Sequence, residues 1–225
     1  MKNLSVKKII EFRRKSDRAK KTFAQILKLE KEKKESDGGG DYWISSLSAI
    51  SNSYKRNNLQ FIRDKIYELE EKFENTDFQR TKTMYERNID ILYKYEVFDF
   101  KIWKPNEHIT YIKKHKSDFV LSIQGLPIEA VPHYVFYLQN KDIKEIGAIW
   151  FIAKLDGYRE AELGMFTDIL YRNLKNNFSK DYTLNPRYCI AVDVVNNFAV
   201  NYYQIEKGEV PSILDKTIGE IKKVM

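Results

Sequence analysis

A single cysteine among 225 residues excludes an intramolecular disulfide. Cys189 lies in the apolar run YCIAVDVV, where a buried, reduced thiol is the expected state. That state suits a reducing compartment. No pair of cysteines is present for a zinc site, and the three histidines, His108, His115 and His133, have no metal-ligand spacing. The dinucleotide glycine fingerprint and the nucleophile elbow are both missing. No apolar run is long enough to span a bilayer, and Lys7 and Lys8 interrupt the first apolar cluster, so neither a membrane partner nor a signal-peptide core is expected.

Hydrophobic residues make up 43% of the chain and charged residues 32%, with both signs interspersed. This is the composition of a folded globular protein, and the length suffices for a substantial core. The net charge is +7, from 39 Lys and Arg against 32 Asp and Glu, which makes a polyanion such as DNA or RNA a candidate partner. Much of the early positive charge lies in KKIIEFRRKSDRAKK, which carries Lys7, Lys8, Arg13, Arg14, Arg18, Lys20 and Lys21. Two readings stand side by side: a solvated helix face, or a ridge that contacts phosphates.

The first half reads as helical. Ser5 is placed to cap a helix bearing Ile9, Ile10 and Phe12, and a second helix puts Phe23, Ile26 and Leu27 on one face. A charge run ending in Gly38, Gly39 and Gly40 reads as a connector, because no strand precedes the glycines and no Lys-Ser/Thr pair follows them. DYWISSLSAISNSY suggests a helix opened by Asp41. Leu59, Ile62, Ile66, Leu69 and Phe73 recur at spacings of three and four, and Tyr85, Ile89 and Leu92 mark a further helix before Pro105 and Asn106.

The period changes after about residue 117. DFVLSI and IEAVPHYVFYL, separated by QGLP, are expected to form a hairpin, and EIGAIWFIAKL a central strand buried on both faces. YREAELGMFTDILYRNLKNNF returns to helical spacing. RYCIAVDVV and NFAVNYYQI read as two strands around an Asn-Asn turn, and PSILDKTIGEIKKVM as a closing helix. The expected class is α/β (α+β): a helical region over 1–105 packing on a mixed-sheet core over 106–225, the two forming one compact unit.

This order resembles the PD-(D/E)XK nuclease superfamily, especially its RecB-like branch. The resemblance implies a restriction-endonuclease-like core whose second hairpin strand brings an Asp and whose next strand brings Asp/Glu-x-Lys. Those acids hold Mg or Mn, and the lysine orients the attacking water. Laid on this sequence, IEAVPHYVF corresponds to the first of these strands and IWFIAKL to the second. Lys154 falls at the motif lysine, but Ile152 stands at the Asp/Glu position and His133 at the Asp. Isoleucine binds no hard cation and histidine is a poor substitute for a carboxylate.

The expectation is therefore a degenerate site that holds no metal and needs no cofactor, with His133, Lys154, Glu86 and Glu129 as remnants. Migrated acids are the alternative: Glu129, Asp156, Glu160 and Glu162 lie close in sequence, and Glu86, on the preceding helix, stands where the resemblance allows another acid. Each remnant also has an ordinary structural reading: a strand histidine for His133 and a snorkelling rim lysine for Lys154. Asp193, flanked by apolar residues, is expected to pair with a cation or to occupy an exposed strand end.

Three functions follow from different classes. The first is a non-catalytic binding or scaffold protein that contacts nucleic acid or partner subunits, including a homo-oligomer. The second is a structural component of a phage particle or mobile-element assembly. The third is a Mg- or Mn-dependent nuclease with a rearranged site. The expected location is intracellular, in the cytoplasm, or within a phage particle.

Overall fold

The computed structural model describes residues 3–28, 42–113, 115–140 and 143–225. In chain order the elements are β1 (Leu4–Ser5), α1 (Val6–Arg14), α2 (Asp17–Lys28), α3 (Ile44–Arg56), α4 (Gln60–Glu74) and α5 (Gln79–Tyr93). Then follow β2 (Ile109–Ile112), β3 (Val120–Ile123), β4 (Leu126–Glu129), β5 (Tyr134–Asn140), β6 (Ile143–Ile152) and α6 (Glu160–Phe178). The chain closes with β7 (Thr183–Asp193), β8 (Phe198–Asn201), α7 (Tyr202–Glu206) and α8 (Leu214–Val224).

Among the described residues the strands form two sheets, one ordered β2-β5-β6-β7-β8 and a smaller one ordered β1-β4-β3. The protein is mixed α/β, as the changing hydrophobic period predicts. β6 lies at the centre of the larger sheet, antiparallel to β5 and parallel to β7, with α6 as the crossover between the two parallel strands. Its near-continuous apolar sequence supplies both faces. Phe151 and Ile149 join Phe136 and Val192 under α3, α4 and α5, through Ile50, Tyr54, Ile62, Leu69 and Leu92. Ile152 joins Leu163, Phe166 and Ile169 of α6, while Ala148 and Cys189 meet Leu170 and Leu174.

Gly147 sits where β6 shifts register against β7. A Cβ there would lie 2.5 Å from the Tyr188 Cβ and 2.7 Å from its carbonyl oxygen, so only glycine permits this approach.

Several expectations need correction. IEAVPHYVFYL is not one strand: it divides into β4 of the small sheet and β5 of the large one. Pro132, which has no N–H to donate, lies in the crossing, and pairing resumes when the His133 N–H donates to the Ile149 carbonyl at 3.0 Å. The hairpin is instead β3–β4, turning at Gln124 and Gly125, both with positive φ. NFAVNYYQI stays a strand only to Asn201, whose side chain accepts the Gln204 N–H while Gln204 accepts the Asn201 N–H, starting α7.

In α2 the buried face centres on Phe23 and Ala24, and Ile26, rotated away from it, is 54% exposed. Leu27's side chain, Asp41 and the glycines at 38–40 lie outside the described residues. Two strands, β1 and β2, have no counterpart in the sequence reading. Ser5 caps α1 as expected, accepting the Lys8 N–H at 3.4 Å. No described helix is long and apolar enough to cross a membrane.

Candidate functional site

The start of β5 and the end of β6 lie side by side, since Tyr134 pairs with Ile149. His133 and Ile152, the two positions where the resemblance places acids, are therefore brought to one edge of the large sheet. The His133 Nδ1 accepts the Phe151 N–H at 3.2 Å, which puts the proton of the neutral ring on Nε2. The ring also packs edge-on against Phe151, with centroids 5.5 Å apart. Ile152 is buried in the apolar cluster under α6.

A cavity of about 430 Å³ opens at this edge. Val6 of α1, Leu47 of α3, Val131, Trp150, Ile152 and Phe166 supply apolar lining, and Ser48, Ser51, Glu129, His133 and Lys7 supply polar groups. The break at Pro132 explains how Glu129 and His133 come to line one space: they end and begin strands of different sheets, instead of lying along one extended strand.

The other remnants do not join them. Lys154 is half-exposed, its Nζ lies 3.8 Å from the Asp156 carboxylate, and it does not line the cavity. Glu86 is exposed on α5 and also lies outside the lining. Glu162 is committed elsewhere, and Glu160 is exposed on the first turn of α6. Among the described residues no three His, Cys, Asp or Glu side chains are grouped as metal ligands.

A second cleft, of about 740 Å³, runs between the C-terminal end of α1, the N-terminal end of α6 and α8. Arg13, Arg14, Lys20, Arg159 and Lys216 line it with Asp156, Glu162 and Glu220. Arg14 is consumed structurally. Its Nε donates to Glu162 Oε1 at 2.6 Å, a second nitrogen donates to Oε2, and the same nitrogen donates to the Gly157 carbonyl at 3.1 Å. Burial pushes the Glu162 carboxyl up, but the Arg14 and Arg159 N–H hydrogen bonds and the adjacent guanidinium charge outweigh it, leaving the group below its ordinary range.

Lys20 is shared between Asp17 at 3.4 Å and Glu220 at 3.7 Å. Arg13 donates to the Thr217 hydroxyl at 3.3 Å, a neutral partner. Among the described residues Arg13, Arg159 and Lys216 have no carboxylate within 4 Å. The cleft lining thus carries five cations against three carboxylates, and among the described residues Arg13, Arg159 and Lys216 are the cations not in a salt bridge.

The basic run of the N-terminus is therefore dispersed by the fold. Lys7 reaches the sheet-edge cavity, Arg13, Arg14 and Lys20 the cleft, Arg18 a shallow groove along α2, while Lys8 and Lys21 are exposed. Arg159 and Lys216 were not singled out by sequence: their only signal is a basic residue beside the start of α6 and another in α8, and their convergence is tertiary.

Asp193 corrects another expectation. It is fully buried, pairs with no cation among the described residues, and its carboxylate accepts the Tyr158 N–H at 2.8 Å, the Val195 N–H at 3.0 Å and the Asn196 amide at 2.9 Å. Backbone dipoles replace the salt bridge. No protein-family model matches the chain, and neither a curated protein nor a solved structure does.

Proposed function

We propose that the chain is a non-catalytic binding protein built on a sheet arranged like the PD-(D/E)XK core, and that it holds a polyanion, such as a nucleic-acid backbone, in the cleft between α1, α6 and α8. The observation that carries the first part is the chemistry of the sheet edge. His133 spends Nδ1 on a backbone N–H, Ile152 is packed into the core, and the Lys154 ammonium faces Asp156. Each of the three positions of the motif is thereby engaged in packing or local polar contact. The connectivity of β5, β6, α6 and β7 supports the likeness of the sheet.

Arg13, Arg159 and Lys216 support the second part. An excess of cations over carboxylates in a concave surface attracts phosphates and releases counterions on binding, which gives affinity without sequence preference. Arg14 serves as the floor of this cleft by fixing α1 to α6.

Incubation with single-stranded and duplex DNA in magnesium and in manganese, followed on one gel for retardation and cleavage, tests the reading. Retardation of intact DNA is the expected result. Metal-dependent cleavage abolished by Glu129→Ala would instead identify a rearranged nuclease, and failure to retard either DNA at low salt would remove the polyanion.

A further inference from the structure

We propose that the sheet-edge cavity binds a small amphipathic anion, an apolar body such as a medium-length alkyl chain that fills the cavity and carries a carboxylate head at Lys7. The cavity, at about 430 Å³, lies within the range of small-ligand pockets, roughly 300 to 1,000 Å³. Hydrocarbon dominates its wall. Val6, Leu47, Trp150, Ile152 and Phe166 line it, and Ile44, a further lining residue, is 60% exposed, apolar surface that an occupant would cover.

The class of ligand follows from which polar groups of the lining are already engaged. The Ser5 hydroxyl accepts the Lys8 N–H at 3.4 Å, the Ser48 hydroxyl accepts from the Asn52 amide at 3.4 Å, and the Ser51 hydroxyl donates to the Ser48 carbonyl at 3.1 Å. His133 accepts the Phe151 N–H, and His133 and Glu129 are each engaged in a further interaction within the protein. A ligand therefore meets hydrocarbon and polar groups that already have partners. An apolar body gains by leaving water for such a wall, and water finds little there to hold it.

Lys7 is the exception. It is exposed, it lines the cavity, and among the described residues it has no carboxylate within 4 Å. Glu129, the one acid of the lining, is engaged and Lys7 is not, so the head that completes the site is anionic. A carboxylate at Lys7 stays partly hydrated, which limits its preference over a neutral head to about two- to fivefold. A cationic head is repelled by the same ammonium.

The inference rests on the cavity and goes beyond the polyanion reading, so the two fail separately. Hexanoate, octanoate, octanol and octylammonium are titrated into the full chain by calorimetry, below the concentrations at which they aggregate. Saturable binding of octanoate is expected, tighter than hexanoate by about fourfold per added methylene, with octanol weaker and octylammonium weakest. Lys7→Gln is expected to bring octanoate to the affinity of octanol. Ser48→Trp, which replaces an exposed lining residue with a bulky one, is expected to abolish binding of all four while the circular dichroism spectrum is retained.

Charge reversal of Arg159 and Lys216 should leave octanoate binding unchanged, because those side chains line the other cleft. Loss of octanoate binding in that double variant would place the anion in the cleft and overturn the proposal. So would absence of saturable binding at millimolar concentration, an affinity indifferent to chain length, octanol or octylammonium bound as tightly as octanoate, or an octanoate preference that survives Lys7→Gln.

Discussion

The Arg14 guanidinium grips both oxygens of the buried Glu162 carboxylate and, through the same fork, the carbonyl of Gly157. One side chain thereby ties α1 to the first turn of α6 and to the turn that follows β6. Glu162 also closes its own helix by accepting the Arg159 N–H at 2.9 Å, so the acid has one structural role on each side. Truncating Arg14 strands a carboxylate whose side chain is only 4% exposed. Arg14→Ala is expected to cost about 3 kcal/mol in urea denaturation, at the low end for a broken buried pair because Arg14 is itself partly exposed. A loss within experimental error of zero would show that the pair contributes nothing.

The same pair sets a pH dependence. In the folded chain the Glu162 carboxyl lies below its ordinary value, whereas in the unfolded chain it titrates normally. Its contribution is therefore fully present above the ordinary carboxylate range and lost as pH falls through the lowered folded value. Without Arg14 only the Arg159 N–H and its charge oppose the burial that raises the group. The stability gap between wild type and Arg14→Ala should accordingly narrow on acidification, which paired urea curves at neutral and acidic pH would reveal.

Asp193 is expected to be comparably sensitive to truncation. Alanine there leaves the Tyr158 and Val195 N–H groups without their acceptor in a buried site, a loss of about 3 kcal/mol, while asparagine, with one carbonyl oxygen left, should lose less. Gly157 is coupled to the same turn. Its φ is +63°, and a Cβ would lie 1.8 Å from the Asn196 Nδ2 and 2.7 Å from Asp193 Oδ2. Gly157→Ala should therefore destabilise by at least ~1 to 3 kcal/mol, read as a shift in the urea midpoint. Tolerance of both substitutions would contradict the assigned network.

Cys189 is fully buried, and burial pushes its thiol up, away from the reactive thiolate. A thiol reagent should leave the native chain unmodified and react stoichiometrically in denaturant. Rapid modification under native conditions would show that this part of β7 opens readily.

Much of the core was legible because its pattern is local. The continuous apolar run of β6, the three-and-four spacing of α4 and the helical return in α6 each state their own burial. Features that depend on distant partners were not. β1 has only two residues and exists through pairing with β4; β2 is an edge strand whose pairing with β5 is invisible in its composition. Asp193 escaped because its partners are backbone N–H groups, which leave no trace in residue identity. That His133 and Ile152 stand where the resemblance expects acids was readable from sequence, whereas the cavity beside them needed the Pro132 break that brings Glu129 back to the same edge.

The salt dependence of polyanion binding tests the central claim most directly. Filter binding of a short single-stranded oligonucleotide across ionic strengths should give a log-log slope of about −2, since three cations contribute roughly 0.7 each. Arg159→Glu with Lys216→Glu should flatten that slope and weaken binding most at low salt. An affinity indifferent to ionic strength, or one unchanged by the double substitution, would contradict the account.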